Sequence, residues 1–218
     1  MRIISFTLLF SLLITLGYSQ RLEEADLPAA VKQTIGFHYP HIYDPTMKFN
    51  TVESTVTYEK IGDSYRADLM VSDAPAYIVV GKDGKLIRKA YQIPTSSVTN
   101  AIKKTLKSNY QDVKVLSLYI VSEVFGRDDY QVTFEGAGYY TPEGEVTSMV
   151  KDSLSKVGVK KVPQKILDKL DSGFAEYTLN SAYRAPNKAG GETYKLLFVA
   201  TDFYSQGGVK ITGKLENL

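Results

Sequence analysis

The run "HYPHIYD", residues 38–44, sets His38, His41 and Asp44 at intervals of three. Two imidazoles and a carboxylate are ligands that zinc accepts. They would have to share one face of a regular element. Pro40 interrupts any helix that could align them, and Pro45 follows Asp44 directly. The run therefore reads as a surface turn. His38 and His41 are the only histidines, and cysteine is absent. Thiol catalysis and thiolate metal sites are thereby excluded. A Ser-His-carboxylate hydrolase would have to use one of these two rings, and no G-x-S-x-G elbow occurs in the chain.

The remaining polar clusters read the same way. Glu23-Glu24 and Asp128-Asp129 fall near the N-terminus and at a turn, where carboxylates are solvated. The glycine-rich pieces "GAG" (136–138), "AGG" (189–191) and "GG" (207–208) do not open a helix after a strand, so they do not form a phosphate cradle. They are expected to be bulges and hairpin turns. No cofactor, metal or catalytic residue is assigned, and the reading is of a protein that is not an enzyme.

Bulk properties narrow the class further. Basic and acidic residues nearly balance, 26 against 24, which gives no electrostatic footprint for a nucleic-acid partner. The start, "MRIISFTLLFSLLITLGYSQ", has one cation, an apolar stretch from Ile3 to Leu16, then Gly17 and Ser19. This is the layout of a secretory signal peptide over residues 1–19. The apolar stretch is shorter than the roughly 20 residues that span a bilayer. A periplasmic or secreted location follows, with no stable membrane insertion once the signal is removed. An exported chain without disulfides must rest on its hydrophobic core. Tyrosine is abundant, 16 residues against 9 phenylalanines and no tryptophan, as in sheet-rich proteins.

The elements that would position any site show a recurrence. An apolar residue precedes Pro at Leu27-Pro28, Ile93-Pro94 and Val162-Pro163. Pro suits the first helical position, because its missing N–H would have no partner there. Helical periodicity follows each pair: Val31 and Ile35; Val98, Ala101, Ile102, Thr105 and Leu106; Ile166, Leu167, Leu170 and Phe174. Alternating strands then start at Tyr65, Tyr130 and Tyr194, and "KDGKLI", "PEGEVT" and "SQGGVKIT" read as tight turns before a last strand.

The spacing predicts helices at about 28–38, 94–108 and 163–174. Strands are expected at 48–59, 64–72, 75–81 and 85–91; at 113–125, 129–136, 138–141 and 145–150; and at 176–184, 192–201, 202–205 and 208–215. The fold class is α+β: three repeated units, each a helix packed on its own four-stranded antiparallel sheet. Unit one covers 20–91, unit two 92–151 and unit three 163–218, with a Lys-rich connector at 152–162. Tyr65, Ala67 and Leu69, Val132 and Phe134, and Leu196 and Phe198 are expected to face the helices.

"LPAAVKQTIGFHYP", the Gly-to-Tyr hairpin and "KDGKL" together resemble the PepSY-like, beta-lactamase-inhibitor-like repeat of exported bacterial proteins. Pro28, Tyr39-Pro40, Tyr65 and Asp83-Gly84-Lys85 carry the likeness. Unit two matches at Pro94, Tyr110, Tyr130 and Gly144, with Gln111 in place of Pro. Unit three has Phe174 for Tyr and "QGG" for "DGK". The resemblance implies a helix lying on a curved antiparallel sheet, in an exported module that binds proteins.

The expected binding surface is the strand face turned away from the helices, with Arg66, Met70 and Ile87 in unit one, Gln131 and Thr133 in unit two, and Lys195, Leu197 and Val199 in unit three. Leu197 and Val199 could equally pack between units. The expected partner is another envelope or extracellular protein, and inhibition of a peptidase is one form such binding could take. The alternative is carriage or sensing of a small apolar ligand between helix and sheet, against Tyr65, Phe134 and Phe198.

Overall fold

The computed structural model describes residues 20–43, 56–123, 128–147, 154–186 and 191–211. Residues 1–19, where a signal peptide is expected, and Asp44 lie outside these residues. In chain order the strands are β1 (Gln20–Leu22), β2 (Thr57–Ile61), β3 (Ser64–Val71), β4 (Ala74–Gly81), β5 (Leu86–Ile93), β6 (Gln111–Glu123), β7 (Asp128–Tyr140), β8 (Ser155–Val157), β9 (Glu176–Pro186), β10 (Glu192–Tyr204) and β11 (Lys210–Ile211). The helices are α1 (Ala29–His38), α2 (Asn100–Asn109) and α3 (Gln164–Gly173).

All eleven strands belong to one antiparallel sheet, in the order β1-β2-β3-β4-β5-β6-β7-β10-β9-β8, with β11 also paired to β10. This overturns the expected architecture of three units, each with its own helix-covered four-stranded sheet. The strands expected to split at 136–138 and at 201–202 do not split. β7 and β10 each run 13 residues without a turn. They zip together from Tyr194↔Tyr140 to Tyr204↔Tyr130 at the middle of the C-terminal part of the sheet.

The glycines explain the misreading. Gly136 and Gly138 do not take positive φ and do not turn the chain. A Cβ on Gly138 would stand 2.6 Å from the Tyr140 ring, so glycine there makes room for that ring within the strand. The hairpin between β3 and β4, by contrast, turns at Ser72 and Asp73, with φ of 49° and 64° and no glycine. Two successive left-handed residues produce the tight turn whose twist matches the strands.

Helix starts also differ from expectation. Pro94 does not open α2; it precedes a 3-10 turn at Thr95–Ser97. The positions equivalent to Leu27-Pro28 and Val162-Pro163 are Val98-Thr99. Leu27, Val98 and Val162 are all buried, and each donates its N–H to the carbonyl three residues back. Thr99 caps α2, its Oγ1 accepting from Ile102 N at 3.2 Å.

The helices share one face of the sheet. On it, α1 buries Val31 and Ile35 against Tyr58, Ala67, Leu69, Ala76, Ile78 and Val80. Nearby, α2 and α3 bury Ile102, Leu106, Ile166 and Leu170 over Leu118, Val132, Phe134, Leu196 and Phe198. The centre of this second core is aromatic. Tyr110, Phe134, Phe174 and Phe198 pack with ring centroids 5.1–6.3 Å apart. Offset and edge-on arrangements of this kind add to the burial term.

Candidate functional site on the helix-free face

Strand alternation sends Arg66, Asp68 and Met70 of β3, Tyr77 and Val79 of β4, Arg88 and Ala90 of β5, Tyr119 and Val121 of β6, Gln131, Thr133, Glu135, Ala137 and Tyr139 of β7, and Lys195, Leu197, Val199, Thr201 and Phe203 of β10 to the face opposite the helices. This face is concave. Tyr77 Oη donates to Gln131 Oε1 at 2.5 Å although β5 and β6 lie between their strands. The Arg88 guanidinium carbon sits 4.6 Å from the Phe203 ring centroid across β6 and β7. Three strand intervals span about 14 Å in a flat sheet, more than these side chains bridge, so the sheet must curl.

At one end the hollow is filled. Tyr77, Val79, Ala90, Val121 and Phe203 form a third buried cluster, with Ile87 and Tyr119 against it. Arg66 closes its rim. Its Nε and Nη2 donate to the Asp68 carboxylate at 2.7–3.1 Å, and its guanidinium lies 4.2 Å from the Tyr77 ring centroid. Burial pushes the Tyr77 hydroxyl up to about 12, against the pull of Arg88 and Arg66.

At the other end the hollow is open. Leu197, flanked by Ala137 on β7 and Ser181 on β9, and Val199, flanked by Glu135 and Thr178, are half-buried. Thr133 and Thr201 meet through their hydroxyls at 2.9 Å. Lys195 extends over the Tyr139 ring, 5.6 Å from its centroid, with Asp112 at 3.7 Å. Along β10 the open patch is thus cationic at one end, apolar in the middle and hydroxylic at the other.

Of the eight candidate residues, five share this β7–β10 surface: Gln131, Thr133, Lys195, Leu197 and Val199. Arg66 joins through the Tyr77–Gln131 bond, but its guanidinium is already engaged by Asp68. Ile87 sits at a register shift in β5 beside the filled cluster. Met70 stands apart, exposed opposite Pro75 near the end of β3. Tyr77, Arg88, Tyr119 and Tyr139 were missed as members of this face. The uninterrupted apolar run "AYIVV" (76–80) carried the signal for a strand buried on both sides.

His38 ends α1 and His41 lies in the following 3-10 turn, each ring against its neighbour's, Phe37 and Tyr39. Burial and the nearby Lys89 charge hold the His38 pKa below its ordinary value. Among the described residues, no three His, Cys, Asp or Glu side chains converge as metal ligands. No described helix is long and apolar enough to cross a membrane. On the helix face, Asp202 is buried and Lys210 Nζ reaches both its carboxylate and the Gly173 carbonyl. Burial raises the Asp202 pKa, and Lys210 opposes that rise.

No protein-family model matches the chain, and no curated protein matches its sequence.

Proposed function

We propose that this is an exported, non-enzymatic module of the cell envelope that binds another protein on the helix-free face of β7 and β10, as the PepSY-like resemblance implies. The observation that carries the reading is the position of Leu197 and Val199. They stand half-exposed on a concave sheet face, while all three helices pack on the opposite one. A half-wet apolar centre beside Lys195, Thr133 and Thr201 suits a polypeptide that brings its own apolar side chain and backbone groups. The space between helix and sheet is taken up by packed rings, with Phe134 and Phe198 sealed from solvent. That favours the outer face over an apolar ligand carried inside. Restraint of a peptidase is one consequence such binding would have.

The test is affinity capture from an envelope extract with the purified chain and with its Leu197→Asp and Val199→Asp variants. The reading expects a captured protein that both variants lose while remaining folded. Capture that neither substitution alters contradicts it.

A further inference from the structure

The turns that follow β4, β7 and β10 are built alike but dock differently. In each, the last glycine takes positive φ and donates its N–H three residues back: Gly84 to Gly81, Gly144 to Thr141 and Gly208 to Ser205, all at 2.9 Å. Each glycine presses on the second residue of a helix, so closely that a Cβ would come within 2.5–2.9 Å. Gly84 presses on Ala30 of α1, the helix just before its own strands. Gly144, however, meets Lys165 of α3, and Gly208 meets Ala101 of α2. The two C-terminal segments have exchanged their turns.

The register shows the same symmetry. Residues 64 apart correspond, and Tyr130 pairs with Tyr204 while Tyr140 pairs with Tyr194. Glu135 pairs with its own counterpart, Val199, at the centre. This is the self-complementary contact that two separate chains would make in a twofold dimer.

The cause lies in chain length. From Tyr65 to Gly84 the chain advances 19 residues, but from Tyr130 to Gly144 only 14. The extra five contain the Ser72–Asp73 turn. With it, β3 folds back on β4 and the turn returns to α1. Without it, the strand must run straight and deliver its turn to another helix.

We propose that the Ser72–Asp73 turn is the hinge that keeps α1, β2 and β3 on their own chain, and that the partner for the opened form is a second copy of this chain. In the opened form β3 and β4 fuse, and the two fused strands pair as β7 and β10 already do.

Deleting residues 71–75 tests this directly. It joins Met70 to Ala76, preserves inward–outward alternation, and leaves a strand of 13 residues, the length of β7 and β10. Light scattering on the size-fractionated protein should give twice the mass of the unmodified chain. A reporter disulfide, Arg66→Cys with Val79→Cys at directly paired positions, should form within one chain in the full-length protein and between chains in the shortened one. Ser72→Val with Asp73→Val, which disfavours the left-handed turn without shortening it, should raise the dimer fraction on refolding at high concentration. A shortened chain that is a folded monomer, that does not fold, or that dimerises with the disulfide still within one chain contradicts the proposal. So does a Val–Val variant that refolds wholly as monomer.

Discussion

Thr105 Oγ1 donates to the carbonyl oxygen of Gly208 at 2.8 Å, across 103 residues of chain. Thr34, one helix position equivalent, makes the same bond to Gly84, only 50 residues away. One local device therefore closes two loops of different range. The longer loop fastens the chain's last described turn to a helix from the middle of the sequence.

That bond sets the first prediction. Thr105→Val removes a donor from a half-buried carbonyl and should lower unfolding free energy by about 1 kcal/mol. Gly208→Ala should lower it more, by about 2 kcal/mol, because it adds strain at φ +76° to a contact with the Ala101 backbone. Urea denaturation measures both. A neutral Gly208→Ala would mean that the turn does not seat on α2.

The buried Asp202–Lys210 pair gives a pH-dependent prediction. The folded-state pKa of Asp202 is raised, so its favourable share of stability is complete at acid pH and is lost as pH rises through the folded value. Lys210→Met removes the opposing charge and moves that pKa higher still. At pH 7 the variant should lose about 3 kcal/mol, the consequence of a buried carboxylate without its cation. The loss should shrink steadily as pH falls and the buried carboxyl takes up a proton. A deficit independent of pH would show that Lys210 acts through packing on Phe174, from whose ring centroid it lies 4.8 Å.

Alkaline titration reads the tyrosine cores. Tyr77 and Tyr140 are pushed up to about 12 by burial, and Tyr58, Tyr110 and Tyr204 are raised by the same cause. A raised folded-state pKa means that stability from these groups holds below the ordinary value near 10 and is lost above it. Phenolate absorbance should therefore appear in two phases, exposed rings near pH 10 and core rings together with loss of ellipticity at higher pH. A single phase near 10 with the fold intact would place those hydroxyls in water.

The face assigned to partner binding predicts a separation of effects. Leu197→Asp lies on a half-exposed position and should change stability by less than about 1 kcal/mol. Phe198→Ala, one residue on but facing the helices, should cost about 3–5 kcal/mol by opening a cavity beneath Tyr110 and Phe174. Thermal melts of the two variants side by side check the alternation that defines the binding face.

Alternation was the part of this structure most legible in the sequence. Ala67 and Leu69, Val132 and Phe134, and Leu196 and Phe198 point to the helices as period two requires, and Ile102, Leu106, Ile166 and Leu170 lie on the seams that helical spacing marks. Connectivity was less legible. Ile93-Pro94 looked like a helix start, but the seam residue is Val98 and the cap is Thr99, whose hydroxyl does what a proline ring cannot. The glycines at 136 and 138 looked like a turn because glycine permits one. They serve instead to admit rings. The hairpin at Ser72–Asp73 falls where the break between the expected strands 64–72 and 75–81 placed it, although it has no glycine. For the binding face, residue types pointed to Lys195, Leu197 and Val199, but only the folded structure shows Arg66 engaged by Asp68 two residues on, and only the curl of the sheet brings Gln131 to Tyr77.

The β7–β10 seam makes the C-terminal segments one sheet rather than separate units, and it forms the floor of the proposed binding surface. Thr133 and Thr201 are directly paired across it, with hydroxyls 2.9 Å apart. Because the chain has no cysteine, Thr133→Cys with Thr201→Cys creates a single possible disulfide. Mild oxidation should close it within one chain, with quantitative loss of free thiol and a higher melting temperature. Two thiols that stay free in the folded protein would contradict the pairing on which this account rests.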